Sequence, residues 1–536
     1  MRTRSGLGTQ AAVRTADLHV TTSAQWRRRS TDIPRDVRQF FRDGFGSLAD
    51  TWSRVVFCRW YLGLQPSRSG VGLCGLDGGV MDTQTIQALR GSVTGPIVTP
   101  GDPGYDEARK VYNYMIDRHP AAVVSCRTAD DVAAVVRQAA QTGTELAVRG
   151  GAHSVPGFGT ADDALVVDLS GLSSVTVDSS SRTARVGGGA TWGAFNDATG
   201  AFGLATTGGI ISTTGVGGLT LGGGIGYLSR AYGLSCDNLL AAQVVTADGL
   251  KLTTSEAENP DLFWGLRGGG GNFGVVTEFT FRLHPVAQVY GGPMFFELSD
   301  GEAVLSYFNE FIQTAPREYG GFPGFQIAPP LPFVPEDRVG EPFIVVVSCW
   351  TGSEADGEQI LQRFRDVANP VAELVGPMPY PALNSAFDGL VPRGLQHYWK
   401  AAYAGDLSKD LIRAHMEHGP KVPVVNSTVH LYPINGACHD LAADETAFGH
   451  RDATYAMVIA GMWPDPLDNE ANMQWVRDYY AAISPLSQPG GYVNFASSDD
   501  QSKVAANYGA NYARLQEVKR RYDPDNLFHL NQNIQP

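Results

Sequence analysis

Arg149-Gly150-Gly151-Ala152-His153-Ser154 is the stretch on which the reading of this chain turns. It follows Glu145-Leu146-Ala147-Val148, an apolar run of the length of a short buried strand. Two glycines let the backbone turn sharply and approach a ligand with no Cβ in the way. Successive N–H groups in such a turn form an anion-binding concavity, which Arg149 is expected to reinforce. His153 is then set where the loop meets a phosphate-bearing ligand, and with Ser154 it is the nucleophilic group there. By itself a Gly-Gly-His turn reads more readily as a bland surface turn with a solvated His. Its meaning depends on what surrounds it.

Upstream, Tyr105 to Asp117 predicts a helix leading into an apolar strand at Ala121–Cys126. Thr128 with Asp131 three residues on predicts a helix start, with Val132, Val135, Val136 and Ala139 on one face and Gly143 closing the end. Downstream, Leu165–Leu169 predicts another strand, and Val175–Val177 with Thr183–Val186 a hairpin. The densest glycines follow: Gly208-Gly209, Gly215-Val216-Gly217-Gly218, and Gly222-Gly223-Gly224-Ile225-Gly226. This spacing differs from the dinucleotide pattern of a strand, GxGxxG and a long helix, and predicts backbone wrapped around a flat polyanionic ligand. Val244–Leu250 reads as a strand entering an Asp-Gly turn, and Gly268 to Val276 returns to ligand-hugging backbone. Beyond about residue 291, helical patterns (302–314, 354–367, 408–418, 469–482) alternate with strands (343–350, 424–432, 453–460), which predicts a second domain with helices on one face of a sheet.

A chain of 536 residues is too long for one core. Its 43% apolar and 18% charged residues are those of a globular protein, and the net charge of −14 argues against a nucleic-acid partner, which would need a basic face. The cysteines Cys58, Cys74, Cys126, Cys236, Cys349 and Cys438 form no CxxC pair, so neither a zinc site nor a disulfide framework is expected, and no metal. No apolar run reaches the roughly 18 residues of a membrane span. Residues 1–80 hold 12 Arg and 6 Asp but no Lys or Glu, a charge of +6 that leaves −20 on the remaining 456 residues. We read 1–80 as an upstream extension with translation starting at Met81, and 1–102 as a poorly ordered N-terminal extension.

Four marks in this order and spacing resemble the berberine-bridge-enzyme-like flavin oxidoreductases of the vanillyl-alcohol-oxidase superfamily: RGGAHS at 149–154, TTGVGGLTLGGGIG at 213–226, DLFWGLRGGGGNFGVV at 261–276, and YVNF at 492–495 with YDPDNLFHLNQNI at 522–534. The resemblance implies an α+β fold: a PCMH-type FAD-binding domain of two α+β subdomains, plus a substrate domain with an antiparallel sheet backed by helices. The FAD domain would be discontinuous, with 103–290 and 490–536 flanking a substrate domain at 291–489. It implies FAD bonded through its 8-methyl carbon to His153, a link that raises the flavin's potential. The cysteine of a second tether in many relatives falls at Ile211 here, so a single attachment is expected. Cys236, close by, reads as a buried small hydrophobe. The cofactor-binding set is Arg149, Gly150, Gly151, Ala152, His153, Ser154, Gly157, Thr214, Gly215, Gly217, Gly218, Gly222, Gly223, Gly226, Val276, Tyr492 and Asn494. Thr214 falls beside the carbon that meets oxygen, and its small size favours O₂ as acceptor.

The implied reaction is hydride transfer from a substrate C–H bond, aided by a base. Tyr432 matches an active-site Tyr or carboxylate of relatives, and His430 shares its strand face by period-2 alternation. A tyrosine ionises near 10 when unperturbed, so it needs help to act as a base at neutrality. Relatives with YxNY use the second Tyr, where this chain has Phe495. Three alternatives stand: Tyr432 takes over, Tyr492 and Asn494 serve, or the substrate needs no strong base. Tyr398, Trp399 and Lys400 are candidates for the substrate mouth. The implied activity is FAD-dependent oxidation of an alcohol, sugar or natural-product hydroxyl with O₂. The competing readings are a dehydrogenase using another acceptor and a flavin-binding protein without turnover.

Overall fold

The computed structural model describes residues 83–536, so the expectations for Met81, Cys58, Cys74 and the extension up to 82 lie outside the described residues. Three sheets organise the chain from there. The first has four strands in the order Ile97–Val98, Ala122–Ser125, Leu165–Asp168, Leu146–Arg149, with the last three parallel. Parallel strands need a crossover, and the helix Ala129–Thr142 supplies one. Thr128 and Asp131 form a reciprocal capping box at its start, and Gly143 ends it in the left-handed region. The second sheet is antiparallel: Val175–Asp178, Thr183–Gly187, Val275–Arg282, Leu239–Val245, Lys251–Ser255.

The expectation of a poorly packed stretch up to residue 102 is corrected over 83–102. Thr83–Ser92 is a helix whose Leu89 is buried against Val132 and Val136, and Ile97–Val98 pairs with Ala122–Ser125. Asp131 accepts from the Thr94 amide at 2.8 Å and pins the turn between them. The mostly polar helix offers few apolar residues to a sequence scan. A second correction concerns Tyr105–Asp117, where only Tyr105–Ala108 is helical. Tertiary hydrogen bonds override the helical pattern: the Tyr112 amide donates to Ala152 O, and Asn113 Nδ2 donates to Val155 O and His397 O. This segment is thereby drawn beneath the 149–154 loop.

The third sheet spans Gln288–Phe296 to Tyr455–Trp463 and has eight strands, antiparallel at each pairing. Alternation gives each strand two jobs. On one face Val429, Leu431, Met457 and Ile459 pack with the helices Gly301–Thr314, Glu354–Val367, Lys409–His418 and Asn469–Ile483. On the other face stand Thr428, His430, Tyr432, Val458, Ala460 and Met462. The strands Gln288–Phe296, Tyr319–Ile327 and Gln396–Ala404 were not foreseen; each carries Gly or mixed polar residues that blur a strand signal. The four cysteines among the described residues are buried and unpaired.

The chain ends by returning to the first two sheets. Lys519, on the helix Tyr512–Tyr522, is fully buried and donates to Asp523 Oδ2 at 2.5 Å, Asn272 O at 2.9 Å and Phe528 O at 2.9 Å. Asp523 also accepts from the amides of Leu527 and Phe528. One ion pair therefore staples the C-terminal stretch to the turn before Val275. Asp523→Asn keeps the shape but strands a buried ammonium, and is expected to cost about 3 kcal/mol. The denaturant unfolding midpoint reads this; an unchanged midpoint would count against the staple.

Candidate active site

The loops of the first two sheets face the inner face of the third across a cavity of about 360 Å³. On the loop side two backbones touch. A Cβ on Gly151 would lie 2.3 Å from Gly215 N, and one on Gly215 would lie 2.5 Å from Gly151 N. The glycines at 150 and 151 thus serve close approach and not the turn itself. The residue in the left-handed region is Ala152, at φ 62°. Gly150, Gly151, Ala152, His153, Ser154, Thr214, Gly215, Gly217, Gly218 and Val276 all line the cavity.

Arg149 lines the cavity too, with its guanidinium donating to Asp168 Oδ2 at 2.9 Å and to Ala108 O at 2.6 Å, which braces the loop against the neighbouring strand. Other expected contacts fall elsewhere. Gly157, at φ 80°, turns over Ile116. Gly222, Gly223 and Gly226 lie behind the wall, where Cβ atoms would strike Asn494, Phe448 and Gly208 O. Tyr492 is also behind the wall, with its hydroxyl accepting from Gly224 N and Asn494 Nδ2, both at 2.8 Å. Burial pushes its ionisation up, so it is a neutral brace for the glycine turn. Asn494 reaches the cavity and donates to Leu219 O at 3.0 Å. Tyr398 and Lys400 bond Asp499, and Lys400 also bonds Asp500, on the far side of their strand. Of that trio Trp399 alone lines the cavity, as alternation requires.

His153 is half-buried in the wall. Its Nε2 is 2.9 Å from Thr213 Oγ1, and its ring stacks on Tyr112 with centroids 3.6 Å apart. Burial, then the nearby His397, holds the imidazole down to about 3, so it is neutral at physiological pH. Ile211, the position at which the sequence resemblance put a second tether, lines the cavity, while Cys236 is fully buried with its thiol pushed well above the usual range by burial.

Across the cavity a directed chain of hydrogen bonds runs down one strand face. Thr428 Oγ1 donates to Phe325 O at 3.2 Å, so it accepts from His430 Nε2 at 2.8 Å. His430 Nδ1 is thereby free to accept from the Tyr432 hydroxyl at 2.7 Å. Burial lowers His430 to about 3 and pushes Tyr432 up, so both are neutral. Phe495 lines the cavity beside them, its ring 5.8 Å from that of Tyr432. The remaining substrate-side wall is mostly apolar, with Phe387, Leu390, Val391, Trp399 and Met462, and it also carries the amides of Gln326 and Asn426, which donate to Val425 O and Leu390 O at 2.7 Å each. Among the described residues no Asp, Glu or Lys lines the cavity.

Sequence reasoning missed Tyr112, Thr213, Thr428, Asn531 and Gln532. Gln532 lines the cavity with both side-chain amide atoms buried and without a partner, which a ligand must satisfy. The amide run Asn531-Gln532-Asn533 was the available signal. Nothing in the sequence marks Tyr112, which reaches the loop only through the fold.

Two family models match the chain: "FAD binding domain" over residues 120–255 and "Berberine and berberine like" over 491–535. An FAD-linked oxidoreductase of Dictyostelium discoideum is 30% identical over 460 residues, covering 85% of this chain and 97% of that protein. The (R)-6-hydroxynicotine oxidase of Paenarthrobacter nicotinovorans is 30% identical over 461 residues, covering 83% and 97%. The solved structure of Physcomitrella patens BBE-like 1 superposes with a TM-score of 0.75 at 25% identity, covering 85% of this chain and 99% of that one. FAD fits the residues present: apposed glycine backbones that a Cβ would separate, open space beside Gly218 and Gly271, and the unpartnered Gln532 amide. Gly151→Ala must push the two loops apart. We expect it to purify with less than a tenth of the parent's flavin content by absorbance while retaining its circular dichroism; full flavin content would contradict the close-approach role.

Proposed function

The chain belongs to the berberine-bridge-enzyme-like FAD-linked oxidoreductases, and from that premise we propose that it oxidises a hydroxyl on an apolar, uncharged small molecule, with Tyr432 and His430 taking the hydroxyl proton. The observation that carries this reading is the directed chain Tyr432 to His430 to Thr428 on the cavity wall opposite His153. Bound FAD supplies the two-electron acceptor for the hydride that leaves the carbinol carbon.

Tyr432 is the phenol on this wall, with Phe495 at the position where the YxNY resemblance puts a tyrosine. With its ionisation pushed up, Tyr432 does not act as a standing phenolate. It accepts the substrate's proton while passing its own to His430 Nδ1, along the 2.7 Å bond already in place. Negative charge developing on the substrate oxygen raises the proton affinity of His430 at that moment. The wall of Phe387, Leu390, Val391, Trp399, Met462 and Phe495 favours an apolar body. A sugar entering it would meet few polar partners, Gln326 and Asn426 among them, and each hydroxyl left unpaired costs ~1–3 kcal/mol.

We take His153 as the single covalent anchor, with no second tether at Ile211. Its neutral imidazole suits nucleophilic attachment, since a protonated one has no lone pair to give. O₂ is the proposed acceptor, favoured by the small Thr214 at the wall. The domain assignment that goes with this reading is FAD-binding at 103–290 and 490–536, and substrate-binding at 291–489.

Anaerobic mixing with a panel of aryl and polycyclic alcohols is expected to bleach the flavin, and a panel that never does so leaves the reading without support. Tyr432→Phe should slow bleaching by about 10²–10³ with flavin content unchanged. His430 stays neutral above about 3 and Tyr432 stays protonated past its usual range, so the rate should be flat from about pH 5 to 9. An acid limb near 6 would instead mean that a different group takes the proton. Admitting air to the reduced protein should restore the yellow form within seconds and release peroxide. Persistence of the reduced form in air, with rapid oxidation by a quinone dye, would identify a dehydrogenase.

A further inference from the structure

We propose that Gln326 and Asn426 are specificity-determining residues: their side-chain oxygens form an acceptor subsite on the sheet wall away from Tyr432, and it selects a substrate whose apolar body ends in a neutral O–H or N–H donor. The inference rests on the hydroxyl-oxidising reading given above and adds what the other end of the substrate carries.

Both amides are oriented by partners that leave no choice of direction. Gln326 Nε2 donates to Val425 O and Asn426 Nδ2 donates to Leu390 O, each at 2.7 Å. A backbone carbonyl only accepts, so the NH2 end of each amide must face it and the oxygen must face away. Both residues line the cavity, and among the described residues neither oxygen has a hydrogen bond. Gln326 is only 4% exposed, so the cavity is where its oxygen finds a donor. A buried acceptor left unpaired is costly, and a donor on the substrate removes that cost. The turn that holds the pair is itself fixed: Ser427 Oγ donates to Met462 O at 2.9 Å and accepts from Met462 N at 3.0 Å.

Strand register places the subsite relative to the reacting end. Gln326 pairs with Thr428 across the sheet, so the two share the cavity face. Asn426 stands two residues before Thr428, and Tyr432 four residues after it. At ~3.3 Å per residue, Tyr432 is about 13 Å along the strand from the level of Gln326. A substrate held at both points has its carbinol at one end of a body about two rings long and its donor at the other. The donor must be neutral, because among the described residues no Asp or Glu lines the cavity to pair an ammonium. An ether or a ketone at this end would set lone pairs against lone pairs. A phenol or an N–H satisfies the two oxygens.

The test reads binding apart from turnover, on the full chain purified with its flavin. 4-Phenylphenol, 4-methoxybiphenyl and 4-fluorobiphenyl share one body, lack an oxidisable carbinol, and only the first has a donor. Titrated into the parent in a calorimeter, the phenol should show a Kd at least about 10-fold below those of the other two. Gln326→Leu and Asn426→Leu should each weaken the phenol until the three Kd values agree within about 3-fold. In anaerobic bleaching, (4′-hydroxybiphenyl-4-yl)methanol should outrun its 4′-methoxy ether, with the gain in the half-saturating concentration and not in the limiting rate. Equal Kd values in the parent, or binding of none of the three, would overturn the acceptor subsite even if a variant fails to fold. A phenol preference that survives in both variants would overturn the assignment to these amides. A phenol preference in the parent that both variants lose, with no bleaching by either alcohol, would leave the subsite standing and remove the hydroxyl-oxidising reading instead.

Discussion

The backbone of Gly151 rests directly on the backbone of Gly215, and the geometry of the cavity follows from that contact. A methyl group at either position would overlap a main-chain nitrogen of the other loop. Because nothing stands between them, the loop after the first sheet's edge strand and the loop before the short helix Val216–Leu221 form one continuous wall. Arg149 supports the contact from below by bonding Asp168, its partner in the parallel ladder. Tyr492 supports it from behind by holding the Gly224 amide. Ala152 turns the chain in a backbone region that non-glycine residues seldom adopt, and the surrounding contacts hold it there.

The third sheet gives the cavity its second wall by simple alternation. One set of side chains is committed to four helices, and the alternate set is left for the cavity. The rigidity of the catalytic candidates comes from this commitment: Val429 and Leu431 are fully buried on either side of His430 along the strand, so Thr428, His430 and Tyr432 keep a common orientation. Buried polar groups are costly unless paired, and here each is paired to the next.

Both walls carry a neutral imidazole bonded to a threonine hydroxyl. Thr213 Oγ1 lies 2.9 Å from His153 Nε2 on the loop side, and Thr428 accepts from His430 on the sheet side. On the sheet side a backbone carbonyl ends the chain and makes it directional. The desolvation that keeps both rings uncharged is the same in kind. They differ in what Nδ1 meets: Thr214 Oγ1 at 3.5 Å for His153, and the Tyr432 hydroxyl at 2.7 Å for His430.

Much was legible from residue order alone. The capping signal at Thr128, the alternation that sets His430 beside Tyr432, the glycine loops and the helices of the second half depend on local periodicity, and local periodicity is written along the chain. Sequence by itself therefore determined the kind of molecule and the loop that carries its histidine. Tertiary structure alone decided the rest, because those features join residues far apart in order. Asn113 bonds His397 across 284 positions and pulls a predicted helix straight. Tyr112 reaches Val391 across 279. Arg149, expected to face an anion, faces Asp168 because a buried guanidinium in a parallel ladder finds the nearest carboxylate first. Composition and spacing cannot register such contacts, since hydrogen-bond direction and desolvation exist only once distant segments are brought together.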